Sequence, residues 1–216
     1  MNGSAGPSGA LGVRLEARRA AAYSDEEPSR ARPSARRRRP RLVTMPTTPP
    51  PPQIVVMGVS AVGKSTIAAG VAAHLGVEWI DADALHPAVN IAKMAAGAPL
   101  VDEDRWEWLD RVGDALRAPG PAGVVIACSA LRRAYRDRIR AAAPAALFVH
   151  LTGSPDLLLA RARVRTGHFM PASLLASQLA TLEPLAADER GFSVDTAPPV
   201  DDILDAVVSG VRASYA

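Results

Sequence analysis

The chain has 216 residues, with 25 Lys and Arg against 22 Asp and Glu, and a single cysteine, Cys128. One cysteine excludes an intrachain disulfide and a thiolate zinc cluster, and it fits a reducing cytoplasmic setting. The positive charge is local: residues 1–52 hold ten arginines and four acids, so residues 53–216 carry 15 bases against 18 acids. The high arginine content is therefore no argument that the folded part binds nucleic acid.

Residues 1–52 are poor in large apolar side chains, rich in Pro, Ser, Gly and Ala, and end in Pro49-Pro50-Pro51-Pro52. Such a segment buries too little surface to offset its chain entropy, and a disordered tail is expected. It has no apolar stretch long enough for a signal peptide or a membrane span. Met45 lies shortly before the first apolar run, so an inert extension ahead of an internal start is one reading. A weak nucleic-acid or membrane tether and a targeting segment are the others.

From residue 53 onward the pattern alternates. Ile54-Val55-Val56-Met57 reads as a buried strand, and Ile67–Leu75 as a helix. Val77–Asp81 reads as a second strand, 87–97 as a helix opened by Pro87 and closed by Gly97, and 103–117 as a helix with Trp106, Leu109, Val112 and Leu116 on one face. Gly123–Cys128 and Ala146–Leu151 are continuous apolar runs, as strands buried on both faces require. Helices are expected at Leu131–Ala143 and Pro155–Arg165. A charged loop or short lid follows through Arg161, Arg165, Gly167 and His168 to Pro171. A helix to about Leu182, a strand at Phe192–Asp195 and a helix from Pro199 to about Val211 complete the chain. This order predicts an α/β fold of three layers, a parallel sheet with right-handed crossovers and helices on both faces.

Gly58-Val59-Ser60-Ala61-Val62-Gly63-Lys64-Ser65-Thr66 joins the first strand to the first helix, and it matches G-x-x-x-x-G-K-[ST] in the context a phosphate loop needs. Backbone N–H groups curled around a phosphate, a helix N-terminus, the Lys64 ammonium and a Ser65 hydroxyl for Mg²⁺ together bind a nucleoside triphosphate such as ATP. Asp81 and Asp83 leave the second strand at the same sheet edge. A kinase needs one carboxylate near the metal and another at the attacking hydroxyl, so Asp81 is assigned to the metal and Asp83 to the hydroxyl. Helix capping is the plainer alternative for both.

His86, Asn90 and Lys93 form a polar, cationic helix face suited to a polyhydroxy acid, or simply solvated. Asp102 is expected to cap the next helix, and Arg105 either binds an anion or lies across an aromatic ring. Arg132 or Arg136 faces the same crevice and can hold a carboxylate or phosphate. Arg161 and Arg165 are expected to close from the lid over the phosphates. Cys128, after an apolar run, reads as a small buried hydrophobe.

Taken together, Asp83-Ala-Leu-His86-Pro87, Asn90, Lys93-Met94, Gly97-Ala-Pro-Leu100, Asp104-Arg105, Cys128-Ser129-Ala130-Leu131, Tyr135-Arg136-Asp137, His168-Phe169-Met170-Pro171, Ser177-Gln178 and Thr181-Leu182-Glu183 resemble gluconokinases across nearly all of 53–213. The resemblance implies a P-loop kinase fold with a parallel sheet of about five strands and a short lid. It implies Mg²⁺-dependent transfer of the ATP γ-phosphoryl to the 6-hydroxyl of D-gluconate, in a cytosolic and often dimeric enzyme. Lys93, Arg105, Arg132 and His86 are then the expected gluconate contacts. Four residues depart from the family pattern: Ala61 and Val62 in the phosphate loop, where a Gly and another small residue are usual, Ala82 in place of a usual Gly, and Glu107 in place of a usual Pro at what looks like a turn before Trp108. A same-fold kinase for shikimate or another small acceptor is the near alternative. A nucleotide-binding switch with a nucleic-acid-binding tail is the distant one.

Overall fold

Five apolar runs become five parallel strands, β1 (Gln53–Met57), β2 (Glu78–Asp81), β3 (Val124–Ala127), β4 (Leu147–Thr152) and β5 (Gly191–Asp195), in the order β2-β3-β1-β4-β5. This computed structural model describes residues 50–164 and 172–216. Most of the N-terminal tail, Arg165, His168 and the core of the expected lid lie outside the described residues.

The helices are α1 (Lys64–Leu75), α2 (Ala88–Ala95), α3 (Asp102–Arg117), α4 (Arg133–Ala142), α5 (Pro155–Val164), α6 (Ala172–Thr181) and α7 (Val200–Tyr215). α7 runs one turn beyond the expected end. Its terminal Tyr215 exchanges hydrogen bonds with the Gln53 backbone at the start of β1, so the extra turn is anchored on the sheet. A short 3-10 helix at Ala82–Leu85, unforeseen in the sequence, carries the chain from β2 towards α2.

Alternation along β1 sorts its side chains between two cores. Ile54 and Val56 join Ile67 and Val71 of α1, Ile203 and Val207 of α7, Leu158 of α5 and Leu175 of α6. Val55 and Met57 join Leu109, Val112 and Leu116 of α3 and Tyr135 and Ile139 of α4. Ala82, one of the unusual positions, is fully buried in this second core, so its methyl is accommodated. Glu107 does not shape a turn: it lies inside α3, exposed, and pairs with Arg111 at 2.8 Å.

β1 is the pivot of the sheet, because the chain leaves it towards β2 on one side and later passes to β4 on the other. In open parallel sheets the crevice beyond such a switch point holds the ligand. The carboxyl ends of β1, β2 and β3 bring residues 58–65, Asp81 and Ser129 to that edge.

Candidate active site

The loop after β1 takes the conformation its glycines permit. Gly58 has φ +141°, and a Cβ there would stand 2.7 Å from the Leu151 carbonyl oxygen, so only glycine fits between β1 and β4 without a shift. Gly63, at φ +100°, is the N-cap of α1. Between them Ala61 also adopts a left-handed backbone, φ +63°. The result leads into the amino end of a 12-residue helix, which favours an anion by its dipole and unpaired N–H groups. Lys64 folds back to donate to the Val59 carbonyl at 3.0 Å.

Asp81 is the hinge between loop and acceptor side. Its Oδ2 accepts from Ser65 Oγ at 3.1 Å and its Oδ1 accepts the Asp83 N–H at 3.1 Å. It therefore caps the 3-10 turn, the plainer of the two readings, and also lies against the phosphate-loop serine. Asp83 is exposed at the same edge. The buried Cys128 thiol lies within the fields of Lys64, Asp83 and Asp81. Burial dominates, and the thiol is pushed up to about 12, so Cys128 is an inert core group.

Beside the loop lies a cavity of about 540 Å³ whose wall includes Asp102, Arg105, Ser129, Arg132, Tyr135 and Gln178. It abuts the phosphate loop twice. The Ser129 carbonyl accepts the Gly58 N–H at 3.3 Å, and Gln178 Oε1 accepts the Ser60 N–H at 2.7 Å. Asp102 gathers the cations on the wall. It accepts from Arg132 at 2.6 Å, from the Tyr135 hydroxyl at 2.5 Å and from Arg105 at 3.3 Å. Both guanidinium groups also lie over the Tyr135 ring, 5.7 and 5.9 Å from its centroid, so Arg105 does lie across an aromatic ring, and it does so while lining the cavity.

Asp102 is not the cap of α3. Val101 holds that position, and the Asp104 carboxylate accepts the Val101 N–H at 2.8 Å, which leaves Asp102 free to face the cavity. Arg136 is the second correction. It is fully buried, paired through two nitrogens with Glu189 at 2.7 Å, and it donates to the Ala130, Leu131, Glu183 and Pro184 carbonyls. It is thus a structural hub, and of the two arginines at the start of α4 only Arg132 faces the cavity.

Lys93 and His86 stand outside the cavity wall. Lys93 pairs with Asp104 at 2.5 Å. His86 is buried and stacks on Trp108 with centroids 4.4 Å apart, while Trp108 donates to the Ala82 carbonyl at 2.7 Å. Burial, partly opposed by Asp83 and reinforced by Arg105, lowers the His86 pKa below its usual value. Arg161 donates to the Thr196 hydroxyl and carbonyl at 3.1 and 2.7 Å, which ties α5 to the loop after β5.

The sequence did not single out Tyr135 or Gln178 as functional residues, and it gave Asp102 a capping role. The signal for Gln178 is an amide inside the apolar i, i+3, i+4, i+7 stripe of α6. No local signal marks Asp102, because its partners Arg132 and Tyr135 are 30 and 33 residues away.

A phosphate loop at the switch point of a five-stranded parallel sheet, with a polar cavity alongside, defines a P-loop kinase. A family profile described as an AAA domain matches residues 54–185. The gluconokinase of Gluconobacter oxydans is 45% identical over 162 residues, covering 74% of this chain and 91% of that protein. The thermosensitive gluconokinase of Escherichia coli is 47% identical over 139 residues, covering 63% of this chain and 74% of that protein. The crystal structure of a gluconokinase from Sinorhizobium meliloti superposes with a TM-score of 0.70 at 46% identity, over 76% of this chain and 94% of that one. The chain belongs to the gluconokinase family.

Proposed function

We propose that residues 53–216 transfer the γ-phosphoryl group of ATP to the 6-hydroxyl of D-gluconate, giving 6-phospho-D-gluconate and ADP. The observation that carries the reading is the cavity against the phosphate loop, whose wall presents Arg105 and Arg132 on a tyrosine platform. Two guanidinium forks suit a carboxylate, and the surrounding hydroxyl and amide groups suit a polyol. The relatives named gluconokinase supply the identity of that polyhydroxy acid.

ATP places its phosphates on the N–H groups of residues 58–65, with Lys64 released from the Val59 carbonyl to the β and γ phosphates. Asp83 accepts the proton of the acceptor hydroxyl as that oxygen bonds to phosphorus and the bond to ADP breaks. The paired oxygens of Ser65 and Asp81 suit a hard cation. Mg²⁺ held there would neutralise charge on the phosphates. Among the described residues no group of three or more His, Cys, Asp or Glu side chains is placed to hold a metal ion, so the phosphates themselves would complete the coordination of this pair.

Arg161 and Arg165 are assigned to the donor side. Lys93 is retained as an acceptor contact, since one ion pair holds its partly exposed ammonium. His86 supports the Asp83 turn through its stack on Trp108. A cytoplasmic setting is proposed on the single cysteine, Cys128, which is buried and unpaired; no helix among the described residues is long and apolar enough to cross a membrane. Catalysis rests on positioning and charge stabilisation. Lys64→Ala and Asp83→Asn should each lower turnover by at least about 100-fold while the melting temperature stays near that of the parent. Coupled ADP release and thermal unfolding check both. Near-parental turnover of Asp83→Asn would remove the aspartate from the reaction.

A further inference from the structure

Gln178 stands where two faces of α6 meet. Leu175 and Leu179, with Leu182 just past the helix end, turn one face into the core that contains Val59 and Val62 of the phosphate loop. Leu174, Ser177 and Thr181 turn the adjoining face to the acceptor cavity. At spacings of three and four, residue 178 belongs to both stripes. It is the polar member of the first, and its amide oxygen takes the Ser60 N–H at 2.7 Å.

That bond fixes the orientation of the amide. Ser60 offers a donor, so the oxygen must face the loop and the NH₂ group is turned away from it. The other polar residues that α6 gives to the cavity have spent their hydroxyl protons: Ser177 donates to Leu174 O at 2.9 Å and Thr181 donates to Ser177 O at 2.8 Å. The Gln178 amide is then the side-chain N–H donor of α6 at the cavity. The carboxyl end of the helix is also held in place, because Glu183 donates its N–H to Leu131 O at 2.8 Å and accepts the Arg133 N–H at 2.6 Å.

We propose that Gln178 aligns acceptor with donor: its oxygen grips the phosphate loop while its NH₂ group hydrogen-bonds a hydroxyl oxygen of the bound polyhydroxy acid. The assignment rests on the gluconate kinase reading above. One amide thereby fixes the distance between the acceptor chain and the phosphates, a geometry on which the rate of an in-line transfer depends steeply.

Two variants separate this role from simple support of the loop. Gln178→Met keeps the length and the packing but loses both bonds. Gln178→Glu keeps an acceptor for the Ser60 N–H and loses the NH₂ donors. Loss of a hydrogen bond to the acceptor should lower kcat/KM for gluconate by about 10- to 100-fold in both. ADP affinity measured by calorimetry and the melting temperature of Gln178→Met should stay within about twofold and about 3 °C of the parent. Parental kcat/KM in Gln178→Glu would overturn the proposal. So would a loss of ADP affinity in Gln178→Met that matches its loss of gluconate activity, since Gln178 would then only shape the loop. If the parent enzyme itself fails to phosphorylate gluconate, the functional reading falls and takes this assignment with it. If the parent is active and both variants are unimpaired, the assignment alone falls.

Discussion

Ala61 holds a left-handed backbone at φ +63° inside the phosphate loop, where the family pattern read from the sequence has glycine. An L-residue pays roughly 1–2 kcal/mol for that conformation, partly offset by the smaller chain entropy it had to lose on folding. Ala61→Gly should therefore stabilise the protein by about 0.5–1 kcal/mol, read as a higher denaturation midpoint with unchanged slope. A lower midpoint would show that the methyl makes a compensating contact. Gly58 is the opposite case, since the Leu151 carbonyl leaves no room for any side chain. Both positions were visible in the motif, yet only the backbone angles distinguish a required glycine from a tolerated alanine.

At the scale of elements, the site was legible where chemistry is local and illegible where it is long-range. The loop, Asp81 and Asp83 could be placed because strand, turn and helix follow each other in sequence. Arg132 and Arg136 were alternatives because both lie near the amino end of α4. Burial separates them, with Arg136 fully enclosed against Glu189, 53 residues away. Burial alone would raise the Glu189 carboxyl, but hydrogen bonds from Arg136, the Ala186 N–H and Arg140 outweigh it and hold the group at about 2. A depressed pKa means the folded state keeps its charge while the unfolded chain takes up a proton. The pair's contribution is therefore complete above about pH 4.5 and is lost as pH falls towards 2. Glu189→Gln should be less stable than the parent by about 3–5 kcal/mol at neutral pH, and the gap should narrow between pH 4.5 and 2. Urea titrations at several pH values would show this, and a gap that stays constant with pH would mean that folding leaves the carboxyl pKa unchanged.

For the whole molecule, the alternation of strands and helices predicted the three layers, because each parallel strand must be buried on both faces and each crossover needs a helix. Strand order was not legible: nothing in a single strand's sequence says that β1 sits between β3 and β4. That order places the phosphate loop at the switch point, beside the cavity that the β3–α4 turn, α3 and α6 enclose. The donor loop alone is shared by many phosphotransferases, so the acceptor side carries the specificity of the account. ADP release coupled to an indicator enzyme, with gluconate, shikimate, a nucleoside monophosphate and neutral hexoses offered in turn, tests it most directly. The account predicts rapid ADP release with gluconate, accompanied by stoichiometric 6-phosphogluconate, and little with the others. Turnover on shikimate or a nucleotide with none on gluconate would contradict it.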